Sequence, residues 1–220
     1  MRGGKPLSVL NLNLERLIYV IPAIILALSM HEYAHARISY AFGDPTARDA
    51  GRLTLNPLRH LDIVGTLLLI FAGFGWAKPV PINPYYYQGN RRKKVMWVAL
   101  AGPVSNLLQA LLAAVILSLL MHFTTALDDG FGNWLCMLML YYVNINLVLA
   151  VFNLLPVPPL DGSKILAGIL PERYSHIIYN LEQYGFIILL ALVFFGLVGK
   201  IIMPLAGFLF TALMRLVFLV

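Results

Sequence analysis

Leu17-Ile18-Tyr19-Val20-Ile21-Pro22-Ala23-Ile24-Ile25-Leu26-Ala27-Leu28-Ser29-Met30 runs without a charge straight into His31-Glu32-Tyr33-Ala34-His35. The first part reads as the interior of a membrane-spanning helix, and the second is an HExxH sequence in that same helix. Residues four apart share a helix face, so both imidazoles can reach one cation. A neutral histidine nitrogen is a good zinc ligand, and the glutamate between the two can act as a base towards water held at the metal. Ionisable groups at membrane depth are costly and mark function by default. The alternative is a helix end where two histidines and a glutamate meet the interface.

The whole composition agrees with a membrane location. Hydrophobic residues make up 60% of the 220, charged residues 12%, and the mean hydropathy is +0.80. These values lie far from those of soluble domains. The length fits one integral-membrane domain over 1–220, with a catalytic core at about 14–165 and C-terminal helices at about 177–220. The single cysteine, Cys136, sits in an apolar run and permits no internal disulfide. No small-residue cleavage pattern follows the first apolar run, so it is expected to stay as the first span. The net charge of +6 would suit nucleic acid in a soluble chain. In a chain this apolar it suits basic loops facing anionic lipid, and no nucleic-acid partner is expected.

Long apolar segments run from about Leu14 to Phe42, Val95 to Phe123 and Trp134 to Leu155. Tyr184 to Val220 is long enough for two more crossings, with Gly199-Lys200 and Pro204 as the expected break. Ile63 to Phe74 holds only 12 apolar residues, short of the roughly 20 that a spanning helix needs. It lies between the strand-like stretches Gly51–Pro57 and Ala77–Pro84. The expected fold is therefore an all-α polytopic membrane protein of about five transmembrane helices. A short strand-rich or re-entrant region would separate its first and second long spans.

Charge placement orients this arrangement. Arg37, Arg48, Arg52, Arg59, Lys78, Arg91, Arg92, Lys93, Lys94, Lys164 and Arg173, eleven of the sixteen basic residues, fall on one side. Arg2, Lys5, Arg16 and Lys200 fall on the other, with Asp128 and Asp129 in its clear loop. The positive-inside rule places 44–94 and 156–180 in the cytoplasm, provided that Ile63–Phe74 does not cross.

A catalytic zinc commonly takes three protein ligands. Asp161 is one candidate for the third, because Pro156, Pro158 and Pro159 end the preceding helix and deliver its carboxylate beside Gly162. Unwound backbone at membrane depth is tolerated where it lines a water-filled cavity. Asp161 could instead cap the next helix, and Asp62 competes as the ligand.

Together these residues resemble a known family. HExxH in an apolar helix, then Ala101-Gly102-Pro103-Val104-Ser105-Asn106, then Asn153-Leu154-Leu155-Pro156-Val157-Pro158-Pro159-Leu160-Asp161-Gly162, resembles the site-2 protease family of intramembrane zinc metalloproteases. The resemblance covers about residues 25–165. Asn56–Asp62 and Gly75–Pro81 are similar to a compact prokaryotic branch, and nothing resembling the PDZ or CBS domains of other branches is present. The resemblance implies one zinc per chain on His31, His35 and Asp161, with Glu32 as the catalytic acid and base. It also matches Asn153 to a family asparagine near the active site. Asn153 and Asn106 are then candidate donors to a developing oxyanion. For Asn106 the alternative is interhelical bonding beside the Gly102-Pro103 kink, while Asn144 and Asn146 read as packing or cavity lining. The implied substrate is a transmembrane protein, hydrolysed in the lipid bilayer of a bacterial or archaeal cell membrane at a site open to the cytoplasm. Nothing in the sequence sets an oligomeric state.

Other polar residues carry less. His60 and Asp62 could pair near the site or at the surface, and His122 and His176 lie near span ends. Tyr85-Tyr86-Tyr87, just before the basic run, reads as an interfacial anchor. The competing function is a zinc-binding membrane protein without protease activity, either a metal transporter or a degenerate binding protein. Transport would call for repeated ligand sites along several spans, and a pure binding site has no use for Glu32.

Overall fold

The computed structural model describes residues 14–62, 64–65, 77–123 and 130–218. Helix α1 spans Leu14–Ala41, a single turn α2 spans Thr46–Asp49, and α3 spans Arg91–Phe123. They are followed by α4 (Gly130–Leu154), α5 (Asp161–Ile169), α6 (Glu172–Phe194) and α7 (Leu197–Phe218). Among the described residues, α1, α3, α4 and α7 are long and apolar enough to cross a membrane.

Small side chains decide how the first three of these pack. In lipid there is little hydrophobic drive between helices, so close approach through small residues matters most. Helix α1 buries Ala23, Ala27, His31, His35 and Ser39, one stripe at four-residue spacing. The two histidines therefore continue the packing face instead of interrupting it. Helix α3 answers with Ala99, Gly102, Asn106, Ala110, Ala113 and Ala114 on its buried side. Ala110, Ala113 and Ala114 meet Val143 and Leu147 of α4. Helix α7 packs Val198, Ile202 and Ala206 against Val151, Leu160 and Leu189, which supports the loop leading into α5.

The fold departs from expectation in two places. Residues 44–94 are not strand-rich: the described part holds α2, single 3₁₀ turns at Pro57–Arg59 and Pro84–Tyr86, and one isolated antiparallel bridge between Leu61 and Ala77. Prolines at 57, 79, 81 and 84 remove ladder donors, so extended chain forms without a sheet. The non-crossing reading of Ile63–Phe74 lies largely outside the described residues, as do Arg2, Lys5, the loop with Asp128 and Asp129, and the side chain of His176. The second departure is the C-terminal break, which falls at Phe195–Gly196 and not at Gly199-Lys200 or Pro204. Gly196 takes φ +67°, the left-handed conformation that ends a helix, while Pro204 is carried inside α7. Among the described residues, the apolar stretch of α6 is Leu181–Phe194.

A buried carboxylate fastens the extended segment 77–87 to the end of α1. Asp44 is fully buried and accepts hydrogen bonds from Ser39 Oγ (2.8 Å), Thr46 N (3.0 Å), Thr46 Oγ1 and Asn83 N (2.8 Å). Ser39 Oγ also meets the Tyr87 hydroxyl at 2.7 Å. Burial opposes the charge, but these donors outweigh it and hold the Asp44 carboxyl below the ordinary carboxylate range. A carboxyl whose pKa is lower folded than unfolded stabilises the fold above its unfolded value, near 4, and loses that contribution as the pH falls further. Asp44→Ala is expected to destabilise the protein by about 1–3 kcal/mol, because buried donors lose their acceptor. Thermal unfolding in detergent checks this, and the gap between parent and variant should narrow below about pH 4. A gap that widens on acidification would contradict the sign.

Candidate metal centre

The site is assembled by α1, α3 and the first turn of α5. Three potential ligand atoms converge there: His31 Nε2 and His35 Nε2 are 3.0 Å apart, and Asp161 Oδ2 is 3.3 Å from the first and 3.2 Å from the second. Donors held at about 2.0–2.1 Å in a tetrahedral zinc site lie roughly 3.3 Å from one another. The triangle is therefore of the right size for one such ion.

The far side of each ring suits the protonation pattern that metal binding needs. His35 Nδ1 donates to the carbonyl oxygen of Val98 at 2.7 Å, and His31 Nδ1 lies 2.6 Å from Asn106 Oδ1. With the protons on Nδ1, each Nε2 presents a bare lone pair to the other. Two lone pairs at 3.0 Å beside a carboxylate repel unless a cation sits among them. Asp161 Oδ2 is also buried without a hydrogen-bond partner. The residues present fit a zinc ion, and His31, His35 and Asp161 are the group of potential metal donors found among the described residues.

Asp161 is placed beside the histidines and Asp62 is not. Leu160 is the N-cap of α5, with no side-chain capping bond, and Asp161 is the first helical residue. The expected alternative of a capping carboxylate is thus set aside by the geometry. Asp62 accepts from Gly65 N at 2.8 Å instead. His60 is buried, its Nε2 bonded to Thr54 O at 2.7 Å, and its own carbonyl accepts from Lys78 N.

A cavity of about 580 Å³ opens onto the triad, lined among others by Glu32, Val80, Phe152, Asn153, Pro159 and Lys164. Glu32 Oε2 accepts from Val80 N at 2.9 Å, so the segment fastened by Asp44 holds the carboxylate along the cavity wall. Asn153 lines the cavity while its Nδ2 donates to Leu149 O at 3.0 Å. Asn106 does not reach the cavity as an oxyanion donor. Its oxygen is on His31, and its nitrogen donates to Asn146 Oδ1 at 2.8 Å, the interhelical bonding that was the alternative for it.

Comparison with known proteins agrees with this chemistry. A profile for peptidase family M50 matches residues 126–196, the part that carries Asn153 and Asp161. YwhC of Bacillus subtilis, provisionally named a zinc metalloprotease, is 44% identical over 183 residues, covering 79% of each chain. The chain belongs to the site-2 proteases, peptidase family M50. Rip2 of Mycolicibacterium smegmatis, also provisionally named a zinc metalloprotease, is 32% identical over 180 residues, 80% of this chain and 66% of Rip2. MJ0611 of Methanocaldococcus jannaschii, with the same provisional name, is 30% identical over 158 residues, 70% of this chain and 73% of that protein. No solved structure matches. This M50 member is an integral-membrane metalloprotease with a zinc cofactor.

Three supporting positions were not legible as such in the sequence. Val98 O and Val80 N act through the main chain, which leaves no side-chain signature. Gly102 faces the two histidines, and a Cβ built there would fall on His35 Nε2 and 2.6 Å from His31 Nε2. Its place in Gly102-Pro103 suggests a kink, whereas its contact with the histidines belongs to helix pairing.

Proposed function

We propose that this protease hydrolyses peptide bonds in or beside transmembrane segments of other membrane proteins, at a site open to the cytoplasm of a bacterial or archaeal cell. The observation that carries the proposal is the convergence of three metal donors and Glu32 on one cavity among helices long enough to cross a membrane. A zinc ion held by His31, His35 and Asp161 supplies Lewis acidity towards water and the scissile carbonyl. Glu32 takes the proton from the attacking water and returns it to the leaving amine. Val80 N–H keeps that carboxylate facing the cavity. Asn153 offers its second amide hydrogen to the oxyanion as charge develops there.

A helical substrate hides its carbonyls in its own hydrogen bonds, so it must unwind to enter. Residues that break helices near the cleavage point should therefore speed cleavage. Co-expression with a panel of single-span proteins tests the function. Cleavage of at least one by the parent, lost with His35→Ala, is the expected result. Uncleaved substrates across a broad panel, with zinc bound, would argue for a binding protein.

Orientation has its own test. In a background without Cys136, cysteines at the exposed positions Ala50 and Gln88, which flank residues 63–74, should be labelled from the same, cytoplasmic side. Labelling from opposite faces would mean that the segment between the first two long spans crosses after all.

A further inference from the structure

We propose that Asn146, outside the cavity, sets the direction of an amide relay that keeps Nε2 of His31 bare for the metal. The inference rests on the reading of His31 as a ligand. Its starting point is a carbonyl that can only accept. Asn146 Nδ2 donates to Tyr142 O at 2.9 Å, one turn back on α4. Asn146 Oδ1 is thereby turned away and accepts from Asn106 Nδ2 at 2.8 Å. Asn106 Oδ1 must then face His31 Nδ1, 2.6 Å away, which obliges that nitrogen to carry the ring proton. Three links pass the polarity of one main-chain carbonyl to the far side of an imidazole.

The opposite setting shows what is at stake. An asparagine amide fits its space almost equally well in either direction. Reversed, Asn106 would give an N–H to His31 Nδ1, the proton would move to Nε2, and the lone pair needed by a cation would be gone. Asn106 and Asn146 are both 0% exposed, and the neighbouring packing residues Ala110, Val143 and Leu147 are apolar. At 0% exposure, bulk solvent has no access to a misplaced N–H. Without Asn146, the buried N–H of Asn106 loses its acceptor, and because an unmet buried donor is costly, the pull that keeps its oxygen on His31 is gone. Asn146 is thus a positioning residue, and its apparent role as glue between α3 and α4 follows from the same bond.

A double-mutant cycle on detergent-purified full-length protein separates this from packing. The readout is the zinc dissociation constant by chelator competition. Asn146→Leu is expected to weaken zinc by about 10–100-fold, the usual effect of losing an outer partner of a ligand histidine. In an Asn106→Asp background the same substitution should cost little, because both carboxylate oxygens accept and their direction needs no setting. Equal losses in the two backgrounds, or parent-like zinc affinity in Asn146→Leu, would overturn the proposal. Should the Asn106→Asp proteins fail to fold, Asn146→Asp decides. Its oxygens still accept from Asn106, so near-parent affinity is expected, and a loss equal to that of Asn146→Leu would overturn the relay. His35→Ala is the control: unchanged zinc binding there would fault the ligand assignment and not the relay.

Discussion

Glu32→Gln is expected to abolish detectable cleavage while leaving the helices and the bound zinc in place. Glutamine is nearly isosteric with glutamate, and the carboxylate is not among the three converging donor atoms. Its side-chain oxygen can still accept from Val80 N, so the bond that fastens the cavity wall to α1 survives. What is lost is the group proposed to take a proton from water and deliver it to the amine. That role is commonly worth roughly 10²–10⁴-fold in rate. The site's depth pushes the effect towards the upper end. His31 lies about fourteen residues past Leu17, roughly 21 Å along the helix, against a hydrocarbon core of about 30 Å. Buffer species that rescue a missing base in open active sites have poor access here. Zinc content and cleavage of a co-expressed substrate, measured on the same preparation, check the prediction. Full cleavage by a zinc-loaded Glu32→Gln protein would remove Glu32 from the mechanism.

The same helix shows why the centre of this site was readable from residues. The stripe Ala23, Ala27, His31, His35 is a periodic pattern within one element, and periodicity within an element is what sequence preserves best. The prolines before Asp161 work the same way, since they fix where α4 must stop whatever surrounds it. The long apolar helices were legible because bilayer thickness sets their length. Residues 44–94 misled for the opposite reason. Gly51–Pro57 and Ala77–Pro84 have the local look of strands, but a strand needs a partner that gives and takes hydrogen bonds. The prolines that bound the segments also deny that pairing. Asp44 illustrates a further limit. In sequence it is an ordinary loop aspartate, and its importance arises only when Ser39, Thr46 and Asn83 meet around it. Asn106 was left with two readings because an asparagine near an active site offers either end of its amide. Only its neighbours Asn146 and Tyr142 decide which end does what.

Gly102→Ala is expected to empty the site of zinc without unfolding the protein. A methyl group at this position would fall on His35 Nε2 and crowd His31 Nε2, the two atoms that must point at the cation. The clash has no soft partner to absorb it. Both rings are held from behind, His35 by Val98 O and His31 by Asn106, so rotating away breaks a buried hydrogen bond on either side. Separating α3 from α1 instead would open the stripe of small residues along which they pack. Overpacking of this kind typically costs about 1–3 kcal/mol, and the preference of a helix interior for alanine over glycine returns about 1 kcal/mol. The net change is small beside the stability of a membrane helix bundle. The effect on metal is large, because two of three ligand atoms lose their aim together. Zinc per chain should fall to that of His35→Ala, with far-UV circular dichroism and thermal midpoint close to the parent. A Gly102→Ala protein that retains parent-like zinc affinity would mean that α1 and α3 sit farther apart around the histidines than the geometry described above.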